Sequence, residues 1–365
     1  MADHPGATGR CRGVTPLGAR LAERIRAEGP IGLDTYIEVA LGDPVHGYYR
    51  TRDPLGAAGD FTTAPEISQV FGEILGLWCV DAWQRLGEPP EALLVELGPG
   101  RGTLMTDMLR AIRIVERARA ALSVHLVETS PVLRARQRSV LGTEDVTWHE
   151  SLDTVPDRPM ILVANEFFDA LPIRQWVRRR GSWRERFIDL DSAGNFAPVD
   201  GPIGTPMRAP AAAEEGEIFE TCAIGLSIAA AMGARIRARS GAAIIIDYGH
   251  PQTHFGDTLQ ALKAHQPVSP FGDPGECDIT AHVDFEALGE ALGLPGVSVE
   301  PLVTQGAFLI AHGAALREAA LVRGKSEAAA TAIRLGIRRL IDPSSMGRLF
   351  KVLIARSPGS GVLPT

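Results

Sequence analysis

Lysine is almost missing from this chain of 365 residues: Lys263, Lys325 and Lys351 are the only three among 37 basic side chains. Arg, Ala and Gly are abundant instead, a bias of the kind a GC-rich genome leaves, and no mechanism follows from it. Net positive charge is missing too, since 44 acidic residues leave a formal charge of −7. Neutralising a phosphate backbone takes a net basic face, so a general nucleic-acid binder is excluded. The four cysteines, Cys11, Cys79, Cys222 and Cys277, include no C-x-x-C pair. That removes a zinc ribbon and a thiol-exchange site, and no metal is expected. No segment approaches the roughly 20 apolar residues of a membrane helix, and the N-terminus lacks the apolar centre of a signal peptide. The expectation is a cytoplasmic protein without membrane insertion, its residues 1–14 disordered.

What is present is an apolar fraction of 45%, enough for a sizeable core. From 15 to 90 the apolar residues fall at helical spacing, Leu17, Leu21 and Ile25, then Leu33, Tyr36, Ile37 and Ala40, and predict an N-terminal helical lobe. Residues 42–63, dense in Gly, Pro and Asp, read as a long lid-like loop carrying His46, Tyr48 and Tyr49. A helix restarts at Pro65 with Ile67, Val70, Phe71, Ile74 and Trp78 on one face. From 91 to 360 short apolar runs alternate with helical patterns, the signature of a parallel sheet in an α/β fold. An inserted α+β segment at about 175–215, including a Pro- and Gly-rich loop over 192–210, and further additions at about 250–300 interrupt that alternation.

The run L-L-V-E-L-G-P-G-R-G places a buried strand directly before Gly98, Gly100 and Gly102 and a helix directly after. Glycine allows a tight turn and a close ligand approach that a Cβ would block, although an ordinary strand-to-helix turn needs glycine as well. The G-x-G-x-G spacing, with Thr103 where the dinucleotide fingerprint wants a small glycine, points away from NAD. Glu96 at the strand end suits the positively charged end of a sulfonium cofactor. Glu128 closes the next strand, where a carboxylate can accept both ribose hydroxyls, each charge-assisted bond contributing about 1.5–3 kcal/mol. The competing role for Glu128 is to cap the helix near Pro131. Together these features predict a Rossmann-like class I methyltransferase core that binds S-adenosylmethionine.

The segment V-A-N-E-F-F-D-A-L-P, residues 163–172, follows the fourth core strand, at the carboxyl edge where such folds place contacts to reacting groups. With G-D-F-T-T-A-P-E-I-S at 59–68, L-G-P-G-R-G at 97–102, I-D-Y-G at 246–249, D-I-T-A-H-V-D-F at 278–285 and T-Q-G-A-F-L at 304–309, the chain resembles the MidA family. That family includes the mitochondrial complex I assembly-factor arginine methyltransferases. The resemblance implies a protein-arginine methyltransferase that forms symmetric dimethylarginine on a core peripheral-arm subunit of respiratory complex I, in the mitochondrial matrix for eukaryotic relatives. One departure stands out: the family's arginine and aromatic in the block T-L-R-A-Y are Gln260 and Leu262 here.

Methyl transfer from a sulfonium is an in-line displacement, so the protein's main task is alignment, which can supply about 7–11 kcal/mol. An arginine acceptor is protonated, with a pKa of about 12.5–13.8, and has no free lone pair. Carboxylates beside it can hold the fork and favour proton loss as the new bond forms. Glu166 and Asp169, three apart and sharing a face if the segment turns helically, are the catalytic candidates, with Asn165 as a polar orienter that also contacts the cofactor. The alternative is that Asn165 and Asp169 build a turn before Pro172, with Glu166 solvated. Asp60 is expected at the cofactor's charged end. Glu66, Phe61, Phe168 and His282 are expected to line the substrate site, with Phe167 as a further wall and Asp247 and Asp284 at its edge.

Two other readings remain at this point: an NAD-dependent oxidoreductase, and an assembly platform that keeps a cofactor fold without turnover. A methyltransferase of another acceptor class fits equally. Nothing in the sequence excludes a homo-oligomer.

Overall fold

Thr15 ends the extended approach to the first helix and accepts a hydrogen bond from Gly18 N at 2.9 Å, while Pro16 occupies the first helical position, where no N–H is needed. The computed structural model that shows this describes residues 15–51 and 62–358. The expected disorder of 1–14, Cys11 and residues 52–61 of the 42–63 loop, with Asp60 and Phe61, lie outside the described residues.

The N-terminal elements are α1 (Pro16–Glu28), β1 (Ile31–Gly32), α2 (Leu33–Gly42) and α3 (Tyr48–Thr51), the last a helical turn inside the stretch read as loop. The expected apolar faces are buried: Leu17, Leu21, Ile25, Leu33, Tyr36 and Ile37 share one cluster. The helix expected from Pro65 is two pieces, α4 (Ala64–Ile67) and α5 (Gln69–Arg85), broken at Ser68, whose extended backbone (φ −157°) lets its hydroxyl cap Val70 N. Val70, Phe71, Ile74 and Trp78 of α5 pack with the central sheet, so α5 belongs to the core and not, as its position before residue 90 suggested, to the helical lobe.

The core then runs β2 (Ala92–Leu97), α6 (Thr103–Ile112), α7 (Glu116–Ala121), β3 (Leu122–Val127), α8 (Pro131–Leu141), β4 (Val146–His149) and β5 (Met160–Asn165). Next come β6 (Arg174–Arg179), β7 (Ser182–Leu190), β8 (Phe196–Gly204) and β9 (Ile218–Thr221), which with β1 form a separate antiparallel sheet. The Pro- and Gly-rich loop expected at 192–210 is therefore largely the strand β8. Its partner lies on one side only, β7, so Pro198 and Pro202 are tolerated and its residues stay half-exposed, which erases the apolar alternation that marks a strand.

After α9 (Ala223–Arg239), β10 (Gly241–His250) returns to the core, followed by a small sheet of β11 (Gln260–Lys263), β12 (Gln266–Val268) and β13 (Asp278–Thr280). The chain finishes through β14 (Val283–Asp284), α10 (Phe285–Leu292), β15 (Ser298–Val299), β16 (Val303–Thr304), helices α11 (Gln305–Ala311), α12 (Ala314–Val322), α13 (Glu327–Ile341) and α14 (Met346–Leu349), and β17 (Phe350–Arg356).

The central sheet has the order β15-β17-β10-β5-β2-β3-β4, parallel from β10 to β4, with β17 antiparallel. Successive residues of β5 divide between its faces, Ile161 and Val163 against α5 and α6, Leu162 and Ala164 against α9 and α10. Both faces are thus covered, and the strands read as continuous apolar runs. In such a sheet ligands bind beyond the carboxyl ends of the strands, where order reverses between β2 and β5. Among the described residues no helix is long and apolar enough to cross a membrane.

Candidate active site

β2 stops at Leu97 because the next residues take conformations that only glycine adopts easily: Gly98, Gly100 and Gly102 have φ of 61°, 51° and 85°. Gly102 N donates to Pro99 O at 2.8 Å, closing the turn, and Gly102 is the left-handed cap of α6. A Cβ on Gly98 would lie 2.8 Å from the Phe167 ring. The loop therefore presents bare backbone to a cleft of about 540 Å³ that runs from the glycines to α2, within the size range of small-ligand sites.

Glu96 and Glu128 line this cleft, both buried. Glu96 Oε2 has no hydrogen-bond partner among the described residues. Its carboxyl is pushed up to about 8, first by burial and then by the Glu128 charge. A buried, unmatched carboxylate is a site that a cationic ligand group completes. Glu128 does not cap α8: Ser130 does, accepting from Leu133 N at 3.3 Å. Glu128 Oε1 instead accepts from Ser130 N (2.7 Å) and Oε2 from Gln137 Nε2 (3.2 Å). Gln137, which no motif singled out, also donates to Gly100 O at 2.7 Å and accepts from Trp148 Nε1 at 2.8 Å. One fully buried amide thus ties the glycine loop to Glu128. Its signal was in the sequence as a polar residue between Leu133 and Leu141 on the buried face of α8.

Beyond β5 the chain does not turn helically, as the spacing of Glu166 and Asp169 had suggested. Glu166 sits at φ +49°, and Asp247 Oδ2 accepts from the backbone N–H groups of Phe167, Phe168 and Asp169 at 3.2, 3.0 and 3.2 Å, winding the segment into a turn around that oxygen. The turn still brings Asn165, Glu166 and Asp169 to the same cleft. Glu166 is held, not solvated: its Oε1 accepts from Ala64 N at 3.0 Å and Asn165 Nδ2 at 3.2 Å, and burial raises it to about 8. Asp169 accepts from Tyr248 and is raised to about 6 by burial. Asp169 Oδ1 and Asn165 Oδ1 are buried without a partner among the described residues.

Glu66 faces the cleft as the third residue of α4, taking a 2.5 Å hydrogen bond from Thr103 Oγ1 and lying 3.7 Å from Arg101 Nη1. Phe167 is a wall of the cleft, as expected. Phe168 and His282 are elsewhere: they line a second cavity of about 300 Å³ beside Trp176, Phe219 and Leu288. Phe168 is turned into the core because the backbone around Asp247 sends alternate side chains to opposite sides of the turn. Asp284, expected at the site edge, caps α10 by accepting from Ala287 N at 3.0 Å. His46 does not line the cleft, whereas Tyr49, Arg50 and Asp278 do. Gln260 and Leu262 lie on β11 and line neither cavity.

The sheet-edge cleft, with its bare glycine turn and two buried acids at successive strand ends, is built as in S-adenosylmethionine-dependent methyltransferases, the class to which this chain belongs. A family described as putative S-adenosyl-L-methionine-dependent methyltransferases matches residues 74–301, and the chain belongs to it, the MidA family of the sequence resemblance. The mitochondrial protein arginine methyltransferase NDUFAF7 of Danio rerio is 36% identical over 91% of this chain and 84% of its own length; that of Homo sapiens is 34% identical over 92% and 82%. A likely methyl transferase from Burkholderia thailandensis, solved with S-adenosyl-homocysteine bound, superposes with a TM-score of 0.83 at 30% identity, covering 95% of this chain and 92% of that one. The cofactor is S-adenosylmethionine, and the oxidoreductase reading is discarded.

Proposed function

We propose that this methyltransferase acts on arginine side chains of a protein and forms symmetric dimethylarginine on a core subunit of the peripheral arm of respiratory complex I. The observation that carries the reading is the charge of the cleft: eight of its lining residues are Asp or Glu and three are Arg. Among the described residues neither Glu166 nor Asp169 is ion-paired to an Arg, Lys or His. A cleft of that kind favours a cationic acceptor over a neutral one. The names of the mitochondrial relatives, protein arginine methyltransferase, point the same way.

The residues divide the work along the cleft. Glu96, Glu128 and the glycine turn hold the cofactor, which supplies a methyl group bonded to a positively charged sulfur. Glu166 and Asp169 hold the guanidinium fork, and Asn165 orients Glu166. As the acceptor nitrogen forms its bond to the methyl carbon, the carbon–sulfur pair returns to sulfur and the guanidinium loses one proton. Glu166, whose affinity for a proton is already raised by burial, takes it. Glu66 completes a wall of the cleft in this reading, and Phe168 and His282, which line the second cavity, take no part in it.

Incubating the chain with methyl-labelled S-adenosylmethionine and an extract of its source cells, then hydrolysing the labelled protein to amino acids, tests the assignment. Label in symmetric dimethylarginine of a complex I subunit is expected. Label in lysine, in glutamine or only in small molecules contradicts it.

A further inference from the structure

Asp278 belongs to the block D-I-T-A-H-V-D-F, yet neither spacing nor chemistry gave it a role. It starts β13, is 4% exposed and lines the cleft with Glu166 and Asp169. Two contacts put it there. Tyr49 Oη donates to Asp278 Oδ1 at 2.7 Å from α3, and Ala281 N donates to Asp169 O at 2.9 Å, stitching the strand that carries Asp278 to the turn that carries Asp169. Burial first, and then the charges of these two acids, make the protons of Tyr49 and Glu166 harder to remove.

Among the described residues each arginine that lines the cleft has a partner other than Glu166 and Asp169. Arg174 Nε lies 2.6 Å from Asp34 and 3.5 Å from Glu185, Arg101 lies 3.7 Å from Glu66, and Arg50 donates to Thr129 O. Acidic side chains gathered in one place do not by themselves make a site. Here there is a second observation: Asp169, 7% exposed, keeps Oδ1 without a partner among the described residues, and so does Asn165 Oδ1 at 8%. Buried acceptors left unmatched are costly, and a donor from outside the protein relieves them. A guanidinium has five N–H donors in a planar fork and can meet acceptors on two sides at once, which a single ammonium cannot do with the same geometry.

We propose that Asp278, fixed by Tyr49, binds the acceptor guanidinium beside Asp169, so that the acceptor is held by carboxylates from two separate elements, the turn after β5 and the start of β13. This rests on the arginine reading given under the proposed function. Asp278 reads the charge and the fork, Tyr49 holds its orientation, and Glu166 is left to take the proton. The N-terminal helices thereby reach the site, α3 through the Tyr49 hydrogen bond to Asp278.

The test is a kinetic comparison of the full chain, Asp278→Asn and Tyr49→Phe, using labelled methyl transfer into the same cell extract and titration with S-adenosylhomocysteine. Asp278→Asn is expected to bind S-adenosylhomocysteine within about twofold of the parent while transfer to the acceptor falls on the order of 100-fold through a raised acceptor KM, with the S-adenosylmethionine KM unchanged. Tyr49→Phe, which leaves the acid in place without the Tyr49 hydrogen bond, is expected to fall about tenfold. A fall of less than about tenfold for Asp278→Asn overturns the proposal, as does a loss of S-adenosylhomocysteine binding that accounts for the whole effect. The arginine reading fails separately: it falls if the parent chain labels a residue other than arginine, whatever the ratio between variant and parent.

Discussion

Replacing Gly100 by Val is expected to weaken S-adenosylmethionine binding by more than about 100-fold, or about 2.7 kcal/mol. The residue has φ +51°, a conformation that costs a residue with a Cβ about 1–2 kcal/mol and a β-branched one more. The strain is only part of the effect. Gly100 O is held by Gln137, so the loop cannot relax without releasing the amide that also orients Glu128. Gly100 also lines the cleft, so a side chain there takes space from the cofactor. Isothermal titration with S-adenosylmethionine and S-adenosylhomocysteine reads the loss directly, and the thermal stability of the ligand-free protein reports whether the fold survives. Affinity within about threefold of the parent chain would show that the glycine turn is not the cofactor cradle.

The second large effect belongs to the carboxylates. Glu166→Gln keeps the shape and can still accept from Ala64 N, but it can neither carry charge nor take a proton. Loss of a general base and of a charge at the transition state costs on the order of 100- to 1,000-fold in kcat, with cofactor binding retained. Asp169→Asn is expected to act mainly on the acceptor KM, because its unmatched Oδ1 binds and does not transfer a proton. The pH dependence separates the two. Burial raises Glu166 to about 8 and Asp169 to about 6, and both must be ionised to act on a cation. The rate should therefore be low in acid and rise to a plateau, with a limb at or below about 8, since a bound cation stabilises the charged forms. In Glu166→Gln, at S-adenosylmethionine concentrations that saturate the site and so keep Glu96 ionised, the residual rate should keep only the lower limb, at or below about 6. Unchanged transfer by Glu166→Gln would remove this residue from the mechanism.

The two carboxylates owe their placement to one turn after β5. One buried carboxylate, Asp247, gathers three consecutive N–H groups and forces Glu166 into a left-handed conformation that a glutamate does not choose by itself. Local departures of this kind are found where function needs a side chain aimed against its backbone preference.

Much of this was legible before the structure. The parallel core was, because β2, β5 and β10 read as nearly unbroken apolar runs, because β3 is a short buried run between helical patterns, and because the glycine turn is contiguous in sequence. Glu96, Glu128, Asn165, Glu166 and Asp169, which line one cleft, were candidates because each lies near or just beyond the carboxyl end of a core strand. The edge strand β8 was missed because half-exposed residues carry no period, and the break at Ser68 because a capping serine inside an apolar helical pattern looks like a tolerated polar residue. Asp278 and Tyr49 could not be paired from spacing at all, as 229 residues separate them. The helical turn expected over 166–169 failed because Asp247, a residue from another strand, supplies the acceptor that decides the local conformation.

A crystal structure of the chain with S-adenosylhomocysteine and an arginine peptide from the labelled acceptor would test the central claim most directly. The account predicts the cofactor's sugar on Glu128, its charged end at Glu96, and the guanidinium between Glu166, Asp169 and Asp278 with one nitrogen facing the sulfur in line for attack. A peptide arginine seated outside this cleft, or a nitrogen turned away from the sulfur with the carboxylates still unmatched, would contradict it.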